Sequence, residues 1–126
     1  MTPQETIDLA RRAVACTRWR WMPGMVTTHG QRIARVDADG YAVAYYRGGH
    51  LQPVEADALP DLTDQATLGC LLALVRKAWD DETLSIAWAA GRWYVVQRVL
   101  RAIEALRWID TATEAAVLVT ALEAAP

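Results

Sequence analysis

The sequence predicts one α+β domain in which helices flank an antiparallel β-meander. Three observations carry that expectation. Apolar residues recur at helical spacing near the start, in the middle and near the end of the chain. Between Val26 and Val54, short runs rich in β-branched and aromatic residues are separated by the turn signals His29-Gly30, Asp39-Gly40 and Gly48-Gly49. A chain of 126 residues, 53% hydrophobic and 22% charged, lies within the size range of one domain and can bury a core without metal or disulfide help.

The first helix opens at Thr2, which can cap it, with Pro3 at its first position and Glu5 able to reach back as a capping-box partner. Ile7, Ala10 and Val14, with Leu9, Ala13 and Cys16 one strip over, form its apolar face, and it should end near Thr17. The alternation of Arg18-Trp19-Arg20-Trp21 then predicts an extended segment, turned at Pro23-Gly24 before Met25. The meander follows as runs at about 25–28, 31–37, 41–47 and 50–54. Within the third, Tyr41, Val43 and Tyr45 should share one face, with Ala42, Ala44 and Tyr46 on the other.

Glu55 to Asp64 is acidic, contains Pro60 and reads as a loop leading to Asp64 or Thr63 as the cap of a second helix. Leu68, Leu71, Leu72, Val75 and Trp79, widened by Cys70 and Leu74, make that helix the expected core helix, with Arg76 and Lys77 favoured by the dipole in its last turns. Asp80-Asp81-Glu82 breaks the pattern. Leu84 to Trp88, a turn at Ala89 to Gly91, and Trp93 to Gln97 then read as a second hairpin. Val99, Leu100, Ile103 and Leu106 have helical spacing, which favours a short helix there over a continued strand; Arg107-Trp108-Ile109 looks extended. Thr111 and Glu114 match a capping box ahead of Ala115, Leu118, Val119 and Leu122, a final helix ending near Ala125.

Charge is unevenly distributed. Residues 1–35 hold six arginines against Glu5 and Asp8, residues 36–91 hold nine acids against three bases, and the rest is balanced, for a net charge of −2. Such a dipolar surface bears on the choice of partner and not on the fold. Arginine outnumbers the single lysine, Lys77, and alanine is abundant, as expected of a GC-rich genome. No apolar stretch is long enough to span a bilayer, and Met1 to Asp8 lacks the basic start and apolar run of a signal peptide, so a cytoplasmic location is expected. Cys16 and Cys70 lack CxxC spacing and read as small buried apolar residues with free thiols.

Reactive chemistry finds little footing. The two histidines, His29 and His50, fall at turns, and Cys70 lies in an apolar helix stripe where burial keeps a thiol protonated. Asp37 with Asp39 and the run Asp80-Asp81-Glu82 lack the further ligands of a calcium loop, and Gly48-Gly49 lacks the lysine of a phosphate-cradling loop. Neither cofactor nor metal is expected, and a non-enzymatic role follows.

Recognition has better material. Arg18, Trp19, Arg20 and Trp21 interleave guanidinium groups with aromatic faces, a combination that anchors protein interfaces or stacks on bases. If the segment is extended, the arginines share one face and the tryptophans the other, so the rings are either contact residues or core. The expected partner-binding residues are Arg18, Trp19, Arg20, Trp21, Met25, Arg32 and Arg35. An alternative uses Arg11, Arg12, Arg18, Arg20, Arg32 and Arg35 to hold nucleic acid, although the mildly acidic balance argues against it.

In the segments Thr17-Arg18-Trp19-Arg20-Trp21-Met22-Pro23-Gly24-Met25 and Leu59 to Arg76, and at the close from Thr113 to Ala125, the chain resembles small hypothetical proteins encoded in phages and prophages of GC-rich bacteria. The resemblance covers less than half of the chain and excludes Val26 to Glu55. It implies an accessory protein that binds a host or phage protein complex, as an inhibitor or modulator of host machinery or of a defence complex such as a CRISPR effector (an anti-CRISPR-like role).

Overall fold

The structure is a computed structural model and describes residues 2–46, 48–99, 102–106 and 113–126. Among these residues the chain forms three helices and two antiparallel sheets of three strands each, an α+β fold. No helix among them is long and apolar enough to cross a membrane.

Local chemistry sets the first helix, α1 (Pro3–Ala15). The Glu5 amide donates to the Thr2 hydroxyl at 3.1 Å and the Thr2 amide donates to the Glu5 carboxylate at 2.6 Å, so both halves of the expected capping box form. Leu9, Ala10 and Ala13 are buried, while Ile7, Val14 and Cys16 are half-buried at the edges of the stripe.

The meander is a sheet of β1 (Ile33–Val36), β2 (Ala42–Tyr45) and β3 (Leu51–Pro53) in sequential order. Gly40, at φ +86°, takes the left-handed backbone that the β1–β2 turn requires, and its amide donates to the Asp37 carbonyl at 2.8 Å. The first expected run is not a full strand: Val26 and Thr27 make only isolated bridges, to Arg32 and Pro60. The faces of β2 also depart from alternation. Ala42, Val43 and Ala44 are all buried while Tyr41 and Tyr45 are exposed, so Val43 is covered and its two face-mates are not. Arg47, the end of the expected third run, lies outside the described residues.

The acidic loop ends where expected. Asp64 caps α2 (Gln65–Ala78), its carboxylate accepting from the Thr67 amide and the Thr67 hydroxyl, both at 2.9 Å. That amide bond, the hydroxyl and Arg32 together hold the Asp64 carboxyl below the usual aspartate range, outweighing the partial burial that pushes it up. A carboxylate lowered in the folded state contributes stability that is fully present above its unfolded value, near pH 4, and is lost as pH falls through the folded value. Asp64→Asn keeps a cap but removes this charge. The stability gap between wild type and variant should therefore narrow as urea denaturation is moved below about pH 4, and a gap constant with pH would refute the linkage.

The second sheet corrects one expectation. β4 (Ser85–Ala89) and β5 (Arg92–Val99) form the anticipated hairpin around Ala90 and Gly91, both at positive φ. The stretch favoured as a short helix is instead a third strand, β6 (Ala102–Leu106), paired with β5 from Val95↔Leu106 to Val99↔Ala102. A run this short fits either period, and the ladder offered by β5 satisfies its backbone groups. Arg107-Trp108-Ile109 and Thr111 lie outside the described residues. The cap of the last helix, α3 (Glu114–Glu123), is Thr113, whose hydroxyl accepts from the Ala116 amide at 3.1 Å.

The centre of the core is α3 and not α2. Ala115, Ala116, Val117, Leu118, Val119, Ala121 and Leu122 are buried almost all round that helix, which packs against α1, α2 and β5. Ten residues with so little polar surface describe an enclosed helix, whereas α2 keeps one polar flank. Its buried side includes Leu68, Leu71, Leu74 and Val75. One cluster of buried side chains joins these to Met25, Ile33, Leu84 and Val95.

A cationic cavity between the Arg-Trp segment and helix α2

The segment from Arg18 to Met25 crosses from α1 to the meander and is fastened on three sides. The Trp19 amide donates to the Cys16 carbonyl at 3.0 Å, tying it to the end of α1. The Gly24 amide donates to the Ile33 carbonyl at 2.9 Å and the Ile33 amide donates to the Met25 carbonyl at 2.8 Å, tying it to β1. On the α2 side, the Val26 amide donates to the Thr67 hydroxyl at 2.9 Å, and the Cys70 thiol lies 3.6 Å from the Pro23 carbonyl. Gly24, at φ +95°, makes the reversal at Pro23-Gly24.

Alternation sorts the side chains as the sequence suggests. Arg18 and Arg20 are exposed, and Trp19 and Trp21 are half-buried against the core, edge to face at 5.4 Å between ring centroids. The rings thus combine the two readings left open by the sequence. Met25 is fully enclosed and offers no contact surface, because the Pro23-Gly24 turn folds it beneath the segment; the Met22 amide lies 3.4 Å from its sulfur.

Between this segment and α2 lies a cavity of about 240 Å³. Trp21 and Met22 from the segment and Leu74 from α2 supply its apolar lining; Ala73 and Ala78 are small enough to leave the space open. Arg18, Arg20 and Lys77 complete the lining, three cations with no carboxylate among the described residues. The Arg20 guanidinium donates to the Trp19 carbonyl at 3.3 Å, and that of Arg18 donates to the Pro126 carbonyl. The neutral carbonyl that Arg20 meets compensates no charge.

The other arginines of the N-terminal third behave differently. Arg11 pairs with Asp8 at 3.4 Å, Arg12 with Glu123 at 2.6 Å, Arg32 with Asp64 at 3.5 Å and Arg35 with Asp37 at 3.2 Å. Arg32 also donates to the Gly24 carbonyl at 2.6 Å, so it clasps the turn. Of the seven residues expected to bind a partner, Arg18, Arg20 and Trp21 line the cavity and Trp19 packs edge to face with Trp21, while Met25, Arg32 and Arg35 take no part in its lining. The α2 contribution of Ala73, Leu74, Lys77 and Ala78 went unforeseen, because Lys77 was accounted for by the helix dipole and Leu74 by the core.

Elsewhere, Asp81 accepts from the Thr83 amide at 2.9 Å and the Thr83 hydroxyl at 2.7 Å, a turn closing the chain after α2. No group of three or more His, Cys, Asp or Glu side chains able to hold a metal ion occurs among the described residues. His29 borders a more open depression of about 610 Å³ with Gln31, Tyr45 and Tyr46, whose described lining carries no carboxylate. Cys16 and Cys70 are free and half-buried; burial, and secondly the Asp64 charge, push the Cys70 thiol up and keep it protonated. Comparison with protein-family models, curated proteins and solved structures finds no match to this chain.

Proposed function

We propose that this is a phage or prophage accessory protein that acts without catalysis, by binding a protein of a host or phage complex through the face around Arg18, Arg20, Trp21 and Lys77. Its effect on that partner is inhibition or modulation of host machinery or defence. The observation that carries the reading is the cavity itself: an apolar depression rimmed by cations, next to half-buried tryptophans, is the composition of an interface anchor point. A stable interface buries on the order of 800 Å² per partner, and such an anchor sits at the centre of a patch that size. Nucleic acid is the weaker reading, since four of the six arginines it would use are matched by carboxylates of the same chain.

A photo-crosslinking side chain placed at exposed Thr17, beside the rim, tests this in a lysate of a GC-rich bacterial host, with the same group at exposed Gln52 on β3 as the control. A discrete protein adduct is expected from position 17 and not from 52. Arg20→Glu with Lys77→Glu, both at exposed positions, should weaken it about tenfold with the circular-dichroism spectrum unchanged. An absent adduct, one shared by both positions, or one destroyed by nuclease would count against the proposal.

A further inference from the structure

We infer that the cavity between the Arg-Trp segment and α2 receives an acidic peptide segment of the partner, one apolar side chain filling the hole while flanking carboxylates meet Arg18, Arg20 and Lys77. This rests on the protein-binding reading above and names the partner's chemistry.

Size is the first support. A cavity of about 240 Å³ lies below the roughly 300–1,000 Å³ of pockets for drug-sized molecules, and it matches one side chain better than a whole cofactor. Its walls of Trp21, Met22 and Leu74 call for an apolar occupant, and methionine adapts to irregular shapes.

Charge is the second. The paired arginines 11, 12, 32 and 35 have their carboxylates within the chain, and Arg18 is held by the Pro126 oxygen, whereas Arg20 and Lys77 form no ion pair among the described residues. Three like charges gathered around one hole repel one another, and an anionic partner relieves that repulsion. Guanidinium forks suit carboxylates in bidentate geometry, and the lysine on the opposite wall reaches the other side of a bound chain. A phosphate backbone fits less well, because the cations surround a single apolar hole instead of tracking a groove.

The test pans a random-peptide display library on the immobilised full chain, with the Arg20→Glu, Lys77→Glu double variant as counter-selection. Enriched sequences should carry Leu, Met or an aromatic residue flanked by Asp or Glu. A synthetic copy should shift the Trp21 indole and Leu74 methyl resonances, weaken with rising salt, and lose at least tenfold in affinity when its apolar anchor becomes alanine. Neutral or basic consensus sequences, undiminished binding to the double variant, perturbation of another face, or no enrichment would each overturn the inference. If neutral peptides displace the partner crosslinked at position 17, protein binding stands and charge recognition falls. If acidic peptides bind here but no partner crosslinks, the cavity chemistry stands and the proposed function falls.

Discussion

Leu118→Ala should lower the free energy of unfolding by about 3 kcal/mol, roughly a hundredfold in the folding equilibrium. Leu118 is fully buried in α3, the helix that touches α1, α2 and β5, so the lost methyl groups leave a hole with walls on several elements. Walls fixed from several sides collapse poorly, so the cost should exceed that of a site that can close around the missing atoms. For a chain of this size the melting temperature should drop by about 10 °C. Leu51→Ala on β3, where the side chain is 44% exposed, is the control and should stay within about 0.5 kcal/mol of wild type. Urea denaturation of both variants decides the matter: equal losses would mean that α3 is not the centre of the core.

Thr67→Val should cost about 1–3 kcal/mol although it nearly preserves the shape of the side chain. Thr67 is fully buried, and its hydroxyl accepts from the Val26 amide while donating to the Asp64 carboxylate, each at 2.9 Å. Valine fills the space but leaves the Val26 amide without a partner in an enclosed site, where desolvation is no longer offset. The Asp64 cap survives through the Thr67 amide, so α2 itself should persist. The damage falls on the link between α2 and the Arg-Trp segment, that is, on the two walls of the cavity. Thr67→Ser keeps the hydroxyl and should retain more stability, with slow amide exchange at Val26. If serine and valine variants lose equal stability, or exchange at Val26 is unaffected by valine, the hydroxyl bridge has no such role.

What could be read from the sequence was what neighbouring residues decide between themselves. The Thr2–Glu5 box and the cap at Asp64, one of the two candidates with Thr63, are local features, and the structure places both as their types imply. The stripe of α2 and the glycine-marked turns are equally local. One local reading failed, the cap of α3 being Thr113 and not Thr111; the other errors arose where distant partners decide. The 102–106 stretch became a strand because β5 lay ready to pair with it, a fact absent from its own spacing. Reading α3 as amphipathic picked Ala115, Leu118, Val119 and Leu122, yet Ala116, Val117 and Ala121 are buried too, and an all-round apolar surface was visible in those letters. The candidate site divides the same way. Its Arg-Trp wall was apparent in Arg18, Arg20 and Trp21, but the facing wall at Leu74 and Lys77 is more than fifty residues on and is brought there only by tertiary folding.

The place of α3 in chain order sets a constraint on synthesis. α1, the meander, α2 and β5 all leave the ribosome before it, and each contributes apolar side chains to the cluster that α3 completes. Until residues 114–122 emerge, the nascent chain holds these surfaces with no central helix to cover them, a state in which a chaperone or a second unfinished copy competes for the same contacts.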